Sequence, residues 1–250
     1  MPSGAPAGTL GELVAANNVT TLDALAQLAH ELGLQVPQIE RLQRPPVEAA
    51  SDADVAQLVL VELAEPLAAN EHALLAAFGS ALGESDAEAA FDAKMRALLC
   101  ECFPHEAKFV TQRFNNDMPN RRFVLRTPQG ELACHVAVHH KSLVLPGGAV
   151  ERYVGIAEVA TAERFRKRGL VKRLLALVHK QYAAQGYDWS ILMAGSSAYY
   201  MSSGYRSVRN IQAFDVDPYK QFHHPMVLSL ADPPRAWHTD EKVVLNSKYF

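Results

Sequence analysis

Cysteine is scarce in this 250-residue sequence: Cys100, Cys102 and Cys134 are the three present. Their odd number argues against a disulfide framework, and the C-x-C pair has no second pair to complete a zinc site, so a reducing cytoplasm is expected. Long apolar runs are lacking too. None approaches the roughly 18 residues that span a bilayer, and the start, MPSGAPAGTLGELVAANN, lacks a basic region followed by an apolar core, so neither a membrane span nor an export signal is expected. Charge of one sign is also missing. Lys and Arg number 24 against 27 Asp and Glu, for a formal net charge of -3, with 49% hydrophobic and 20% charged residues. That balance excludes disordered and nucleic-acid-coating classes, and any basic patch must be local. There is no internal repeat and no low-complexity tract.

What is present reads as a helical beginning followed by an α/β domain. Residues 9 to 34 carry Leu10, Leu13, Val14, Leu22, Leu25, Leu28 and Leu32 at helical spacing, which predicts two short helices ended by Gly33 and by Pro37, Pro45 and Pro46. A linker over 44 to 54 separates an N-terminal helical extension, 1–50, from a domain over 56–250. Residues 56 to 63, AQLVLVEL, predict a first strand, with a helix turn as the alternative. Residues 67 to 82 and 86 to 102 predict helices. Beyond Asn120 the period changes: RRFVLRT, ELACHVAVHH and VERYVGIAEVAT, joined by Pro-Gln-Gly and Pro-Gly-Gly turns, predict an antiparallel meander. A helix from about Gly169 to Ala184, the strand WSILMAG, a short helix at SAYYMSS and a strand near SVRNIQAFDV complete the order.

The most informative segment is VATAERFRKRGLVKRLL, residues 159 to 175. Six of the ten residues from Arg164 to Arg173 are Lys or Arg, and they surround Gly169 at a predicted helix start. Unpaired N–H groups and the helix dipole favour an anion there, and glycine lets a phosphate approach the backbone. A solvated helix start or an RNA-contacting patch is the plainer alternative.

VATAERFRKRGL resembles the acyl-CoA-binding signature of the Gcn5-related N-acetyltransferase (GNAT) superfamily, R/Q-x-x-G-x-G/A, with Arg166, Gly169 and Val171 at its key positions; Val171 departs from the usual small residue. SAYYMSSGY, residues 197 to 205, resembles the family's A-x-x-x-Y-x-x-x-G-F/Y element. The resemblance spans roughly 56 to 215 as fold and 155 to 205 as motif, within a motif core of 150–215. It is nearest to the small-molecule N-acetyltransferases, including those acting on aminoglycosides. It implies a GNAT fold of the α/β (α+β) class, with a central mixed, mostly antiparallel sheet flanked by helices. It also implies an acyl-CoA-dependent N-acyltransferase moving an acyl group, most simply acetyl from acetyl-CoA, onto a small-molecule amine. By the same resemblance the donor's pantetheine arm pairs with Val159, Ala160 and Thr161. Its pyrophosphate meets Arg166, Lys167, Arg168, Gly169, Leu170, Val171 and Lys172, and Tyr200 protonates the departing thiolate.

Acyl transfer to an amine needs a neutral nucleophile, stabilisation of an oxyanion and a proton for the thiolate. Val159 N–H is the first candidate for the oxyanion. Glu158 is the first candidate for general base, with Glu151, His135 and His139 as alternatives; its side chain alternates with Ala157, and strand parity alone does not say which of the two faces the cleft unless a bulge intervenes. A packing role for Tyr200 beside Tyr199 and a structural role for Glu158 stand beside these readings. His139-His140 and His223-His224 point to opposite faces of a strand without a completing carboxylate, so no metal is expected. The cysteines read as core residues. The partner expected is a small amine, with no membrane and no nucleic acid unless a charged tRNA is the acyl donor; a carrier-bound donor, a catalytically silent binding domain and a homodimer stay open. The apolar tail predicts added strands at MVLSL and KVVLNSKYF, with Trp237, Tyr249 and Phe250 walling the acceptor site or merely covering a core edge.

Overall fold

The computed structural model describes residues 47–65, 84–213, 224–238 and 240–246. The expected helices over 9–34 and 67–82, His223, Tyr249, Phe250, and all of the 1–50 extension but its last four residues lie outside the described residues. Every element below belongs to the compact unit Ala49–Phe250. It begins with α1 (Asp52–Ala56), β1 (Val59–Ala64) and α2 (Glu84–Cys102). The meander follows as β2 (Arg121–Arg126), β3 (Leu132–Val144) and β4 (Val150–Thr161), then α3 (Leu170–Ala184), β5 (Trp189–Ala194) and α4 (Ala198–Met201). The end of the chain adds β6 (Arg206–Ser207), β7 (Ile211–Ala213), β8 (His224–Ser229) and β9 (Val243–Leu245). The sheet is mixed and mostly antiparallel, with helices, as expected.

The sheet runs β1-β2-β3-β4-β5-β8-β6, with β9 joining β3 to β7. Two features depart from the expected order. The strand predicted near SVRNIQAFDV is two short ones, because Asn210 ties the chain between them to the tail: its Oδ1 accepts from Trp237 Nε1 at 2.9 Å and its side-chain amide donates to the Glu241 carbonyl. The neighbour of β5 is β8 from the tail, which pairs with it antiparallel over its whole length.

α3 forms because Leu170, Leu174, Leu175, Val178 and Tyr182 make one apolar stripe, all buried. Gly169 starts it at φ 69, and Gly186 at φ 73 ends it, where Tyr187 N–H donates to the Tyr182 carbonyl at 3.0 Å and Gly186 N–H to Ala183. That stripe packs into a core with Phe91, Met95 and Leu99 of α2 and with Phe123, Val136, Val154, Ile156 and Leu192 of the sheet. A second core joins Tyr153, Trp189, Ile191 and Val227 to Trp237, Val243 and Leu245 of the tail.

One strand creates the opening. β4 pairs with β3 through to Thr161, opposite Cys134, but with β5 in parallel only from Tyr153 to Ile156, opposite Trp189 to Leu192. From Ala157 to Thr161, β4 has a partner on one side alone among the described residues.

Candidate active site

Where β4 parts from β5 the strand also bulges. Ala137 faces Ala157 and His135 faces Ala160, so β4 spends three residues where β3 spends two. The extra residue is accommodated at Glu158, whose φ of 49° lies in the left-handed region that a side chain rarely occupies. This is the bulge that the sequence left open.

The bulge does not turn the Glu158 carboxylate to solvent. Its side chain is 5% exposed; Oε1 accepts from Asn115 N–H at 2.7 Å and Oε2 pairs with Arg122 Nη1 at 3.1 Å. Arg122 is itself fully buried and spends three more donors on Glu65 Oε1 at 2.7 Å, the Arg113 carbonyl at 2.6 Å and His135 Nε2 at 3.0 Å. Arg113 closes on the same Glu65 with both a 2.8 Å Nε and a 2.8 Å Nη2 contact and reaches Asp92 at 3.1 Å. A buried charge persists only when its partners are in place, and here they are. Burial works against the Glu65 charge, yet its two arginines hold the carboxyl below its usual range, whereas burial outweighs Arg122 at Glu158 and pushes that carboxyl up. Guanidinium nitrogens only donate, so His135 Nε2 accepts and Nδ1 carries the proton, donating to the Glu158 carbonyl at 2.9 Å. Burial holds His135 neutral, well below the ordinary histidine range, with Arg122 acting the same way.

Beyond Thr161 the chain makes a 3₁₀ turn, Glu163–Phe165, and then the basic loop. Lys167 at φ 62 and Gly169 at φ 69 are both left-handed, and Val171 packs against the core. A Cβ at Gly169 would meet nothing within 4 Å, so glycine is required there by backbone angle and not by crowding. No described residue accepts a backbone hydrogen bond from the N–H groups of residues 167–172, leaving a curved row of donors at the start of α3. The arginine side chains turn away from that row. Arg166 Nε donates to the Thr161 carbonyl at 3.1 Å and its Nη2 lies 3.5 Å from Glu101, while Arg168 pairs with Asp52 at 2.6 Å and with the Ala50 carbonyl. Lys167 and Lys172 are exposed.

Tyr200 lies on α4 and packs against the main core, with its ring edge-on to Tyr205 at 6.1 Å, while Tyr199 beside it is 78% exposed. Burial, then the nearness of Cys134, pushes its phenol up to about 12. Cys134 sits opposite Thr161, its Sγ 3.4 Å from Thr161 Oγ1. Cys102 Sγ donates to the Thr161 carbonyl at 3.4 Å; burial raises both thiols, Cys134 to about 12, as core cysteines require.

Of the alternative bases, Glu151 lies at the other end of β4, where Oε2 accepts from Trp189 Nε1 at 2.6 Å and Oε1 pairs with Arg235 at 2.6 Å. His139 is buried, its imidazole lowered to about 4 chiefly by burial. Among the described residues no group of three His, Cys, Asp or Glu is placed to hold a metal, and no helix is long and apolar enough to cross a membrane. Trp237 is buried in the second core, edge-on to Trp189 at 4.9 Å, so it covers a sheet face and does not wall an open site. Sequence reasoning missed Glu65, Arg113, Asn115 and Arg122. The available signal was an arginine inside an apolar strand, RRFVLR.

Residues 85–208 match the family model described as an acetyltransferase (GNAT) domain. The N-acetyltransferases Eis of Mycobacterium bovis (BCG / Pasteur) and Mycobacterium tuberculosis (H37Ra) are 32% identical over 82 residues, which is 32% of this chain. The match spans 20% of those relatives' length. Among solved structures, the GNAT family N-acetyltransferase YhbS of Escherichia coli, in complex with CoA, is 22% identical, covers 61% of this chain and 83% of its own, and superposes with a TM-score of 0.48. Eis1 of Mycobacterium abscessus superposes with a TM-score of 0.41 at 15% identity over 48% of this chain and 30% of its own. Residues 85–208 form a GNAT acetyltransferase domain.

Proposed function

We propose that the chain is an acyl-CoA-dependent N-acyltransferase, most simply transferring acetyl from acetyl-CoA to the amine of a small molecule. The observation that carries this reading is the half-paired stretch Ala157–Thr161, which leads through one 3₁₀ turn into the N–H donors at 167–172 and packs in the same core as Tyr200. An extended pantetheine arm would pair with Val159, Ala160 and Thr161, and a pyrophosphate would meet the backbone of residues 166–172, including Gly169, Leu170 and Val171. The fit is mainly to backbone. Arg166 and Arg168 brace the loop from behind, and Lys167 and Lys172 supply the charge at its surface.

In the reaction the neutral amine attacks the thioester carbonyl, the oxyanion is met by an N–H of β4, most simply Val159, and the C–S bond breaks. Tyr200 gives the thiolate its proton. Burial keeps that phenol protonated throughout the neutral range, so it is available as a donor. The ammonium formed on attack releases its proton to water, because the Glu158 carboxylate is taken by Asn115 and Arg122. Thiol release, followed with acetyl-, longer-chain and carrier-bound donors against a panel of amines, tests the reading. Stoichiometric thiol release with acyl-CoA and amine supports it; release only with a carrier or charged tRNA moves the donor to that class, and no release with any donor overturns it.

A further inference from the structure

Glu158 is held at both its ends. Its side chain is pinned by Arg122 and Asn115, and its carbonyl by His135 Nδ1–H at 2.9 Å. The His135 ring cannot turn over to release that carbonyl, because Arg122 Nη1, a donor, occupies Nε2 at 3.0 Å. Arg122 in turn cannot move without giving up its contacts to Glu65, Glu158 and the Arg113 carbonyl while its own charge stays fully buried. The peptide from Glu158 to Val159 is trans, since the cis bond of the described chain is Asp232–Pro233. In a planar trans peptide C=O and N–H point in opposite directions. A carbonyl fixed toward His135 therefore fixes the Val159 N–H away from it.

We infer that His135, Arg122 and Glu158 are positioning residues that lock the 158–159 peptide so that the Val159 N–H faces the donor's carbonyl, and that Glu158 acts by holding this bulge and not as the general base. The inference rests on the acyltransferase reading for its chemistry, though not for its geometry. The left-handed backbone at Glu158 explains why so many buried partners are needed: a side-chain-bearing residue at φ 49 relaxes unless its surroundings hold it.

The test is a pair of substitutions, His135→Ala and His135→Gln, examined by crystallography and by steady-state kinetics with acetyl-CoA. In His135→Ala the 158–159 peptide is expected to rotate while the rest of β4 stays in place. kcat should fall about 10²-fold, the scale of losing one oxyanion donor, with donor KM changed less than about twofold. His135→Gln, whose amide can still donate to the carbonyl and accept from Arg122, should restore both the peptide and most of kcat. An unmoved peptide in folded His135→Ala overturns the inference whatever the activity. A rotated peptide in the variant, where the wild type itself shows no turnover with any acyl donor, overturns the proposed function and leaves the lock supported. Should His135→Ala fail to fold, Glu158→Gln decides: a loss below about tenfold with the acid limb of kcat/KM retained supports a holding role. A loss of about 10² to 10⁴ with that limb abolished makes Glu158 the base and overturns the inference.

Discussion

The two halves of β4 differ in how they are partnered. From Tyr153 to Ile156 the strand is bonded on both sides and packed on both faces, with Val154 and Ile156 in one core and Tyr153 against Trp189 in the other. From Ala157 to Thr161 it is bonded on one side among the described residues, bulged, and supported by buried charge. Apolar packing tolerates change in proportion to the volume lost, whereas a buried charged network fails as a unit when one partner goes. The first half is framework. The second is where direction matters more than stability, and a network of directed hydrogen bonds can fix direction where a stripe of leucines cannot.

The largest expected effect lies at the open half. Tyr200→Phe removes one hydroxyl from a packed ring and should slow turnover by about 10² to 10⁴, the range for a general acid, with donor affinity and melting temperature nearly unchanged. Turnover within twofold of wild type, with chemistry rate-limiting, would make Tyr200 a packing residue. The closed half should respond in the opposite currency. Trp237→Ala opens a cavity beside Trp189 and should cost about 3 to 5 kcal/mol, a fall of roughly 6 to 20 °C in melting temperature, without a selective rise in acceptor KM. A raised acceptor KM at unchanged stability would return Trp237 to the acceptor site. Deleting residues 244–250 removes Val244 and Leu245 from their pairing with β3, so it should likewise destabilise before it alters acceptor use.

Acid should weaken both halves together and more gently. His139 and His179 are lowered to about 4, chiefly by burial, from a usual value near 6.5. Their unfolded forms therefore bind protons first, and the stability they contribute, complete above about pH 6.5, is lost as pH falls toward 4. Glu65, held low by its arginines, adds to the loss below its ordinary range, while Glu158, held high by burial, opposes it. Melting temperature is expected to decline steadily from pH 7 to pH 4. A flat profile over pH 6.5 to 4.5 would show that the imidazoles are not buried as described.

Much of this was legible in the sequence, and the parts that were not share a cause. The meander, α3 with both terminal glycines, β5 and the Tyr200 helix follow from local periodicity and turn chemistry, and the structure has them within a few residues of their expected bounds. The bulge at Glu158 was not readable, because one extra residue in a strand leaves no mark on the alternation around it. Arg122 was missed because a charged residue in a strand reads as facing water, and only the convergence of Glu65, His135 and Glu158 from β1, β3 and β4 makes its burial tolerable. The place of β8 beside β5 depends on a contact more than thirty residues away in sequence. Arg166 and Arg168 could be placed on the basic loop from the sequence, but not their partners, because Glu101 and Asp52 lie on separate helices.

The central claim, that the donor enters along the open half of β4 and meets the N–H row at 167–172, is tested most directly by titrating acetyl-CoA into wild type and into Gly169→Asp. Aspartate forces a side chain onto a left-handed residue and sets negative charge beside the phosphate position, so affinity should fall at least about tenfold in a protein that still folds. Equal affinity in the folded variant would contradict the claim.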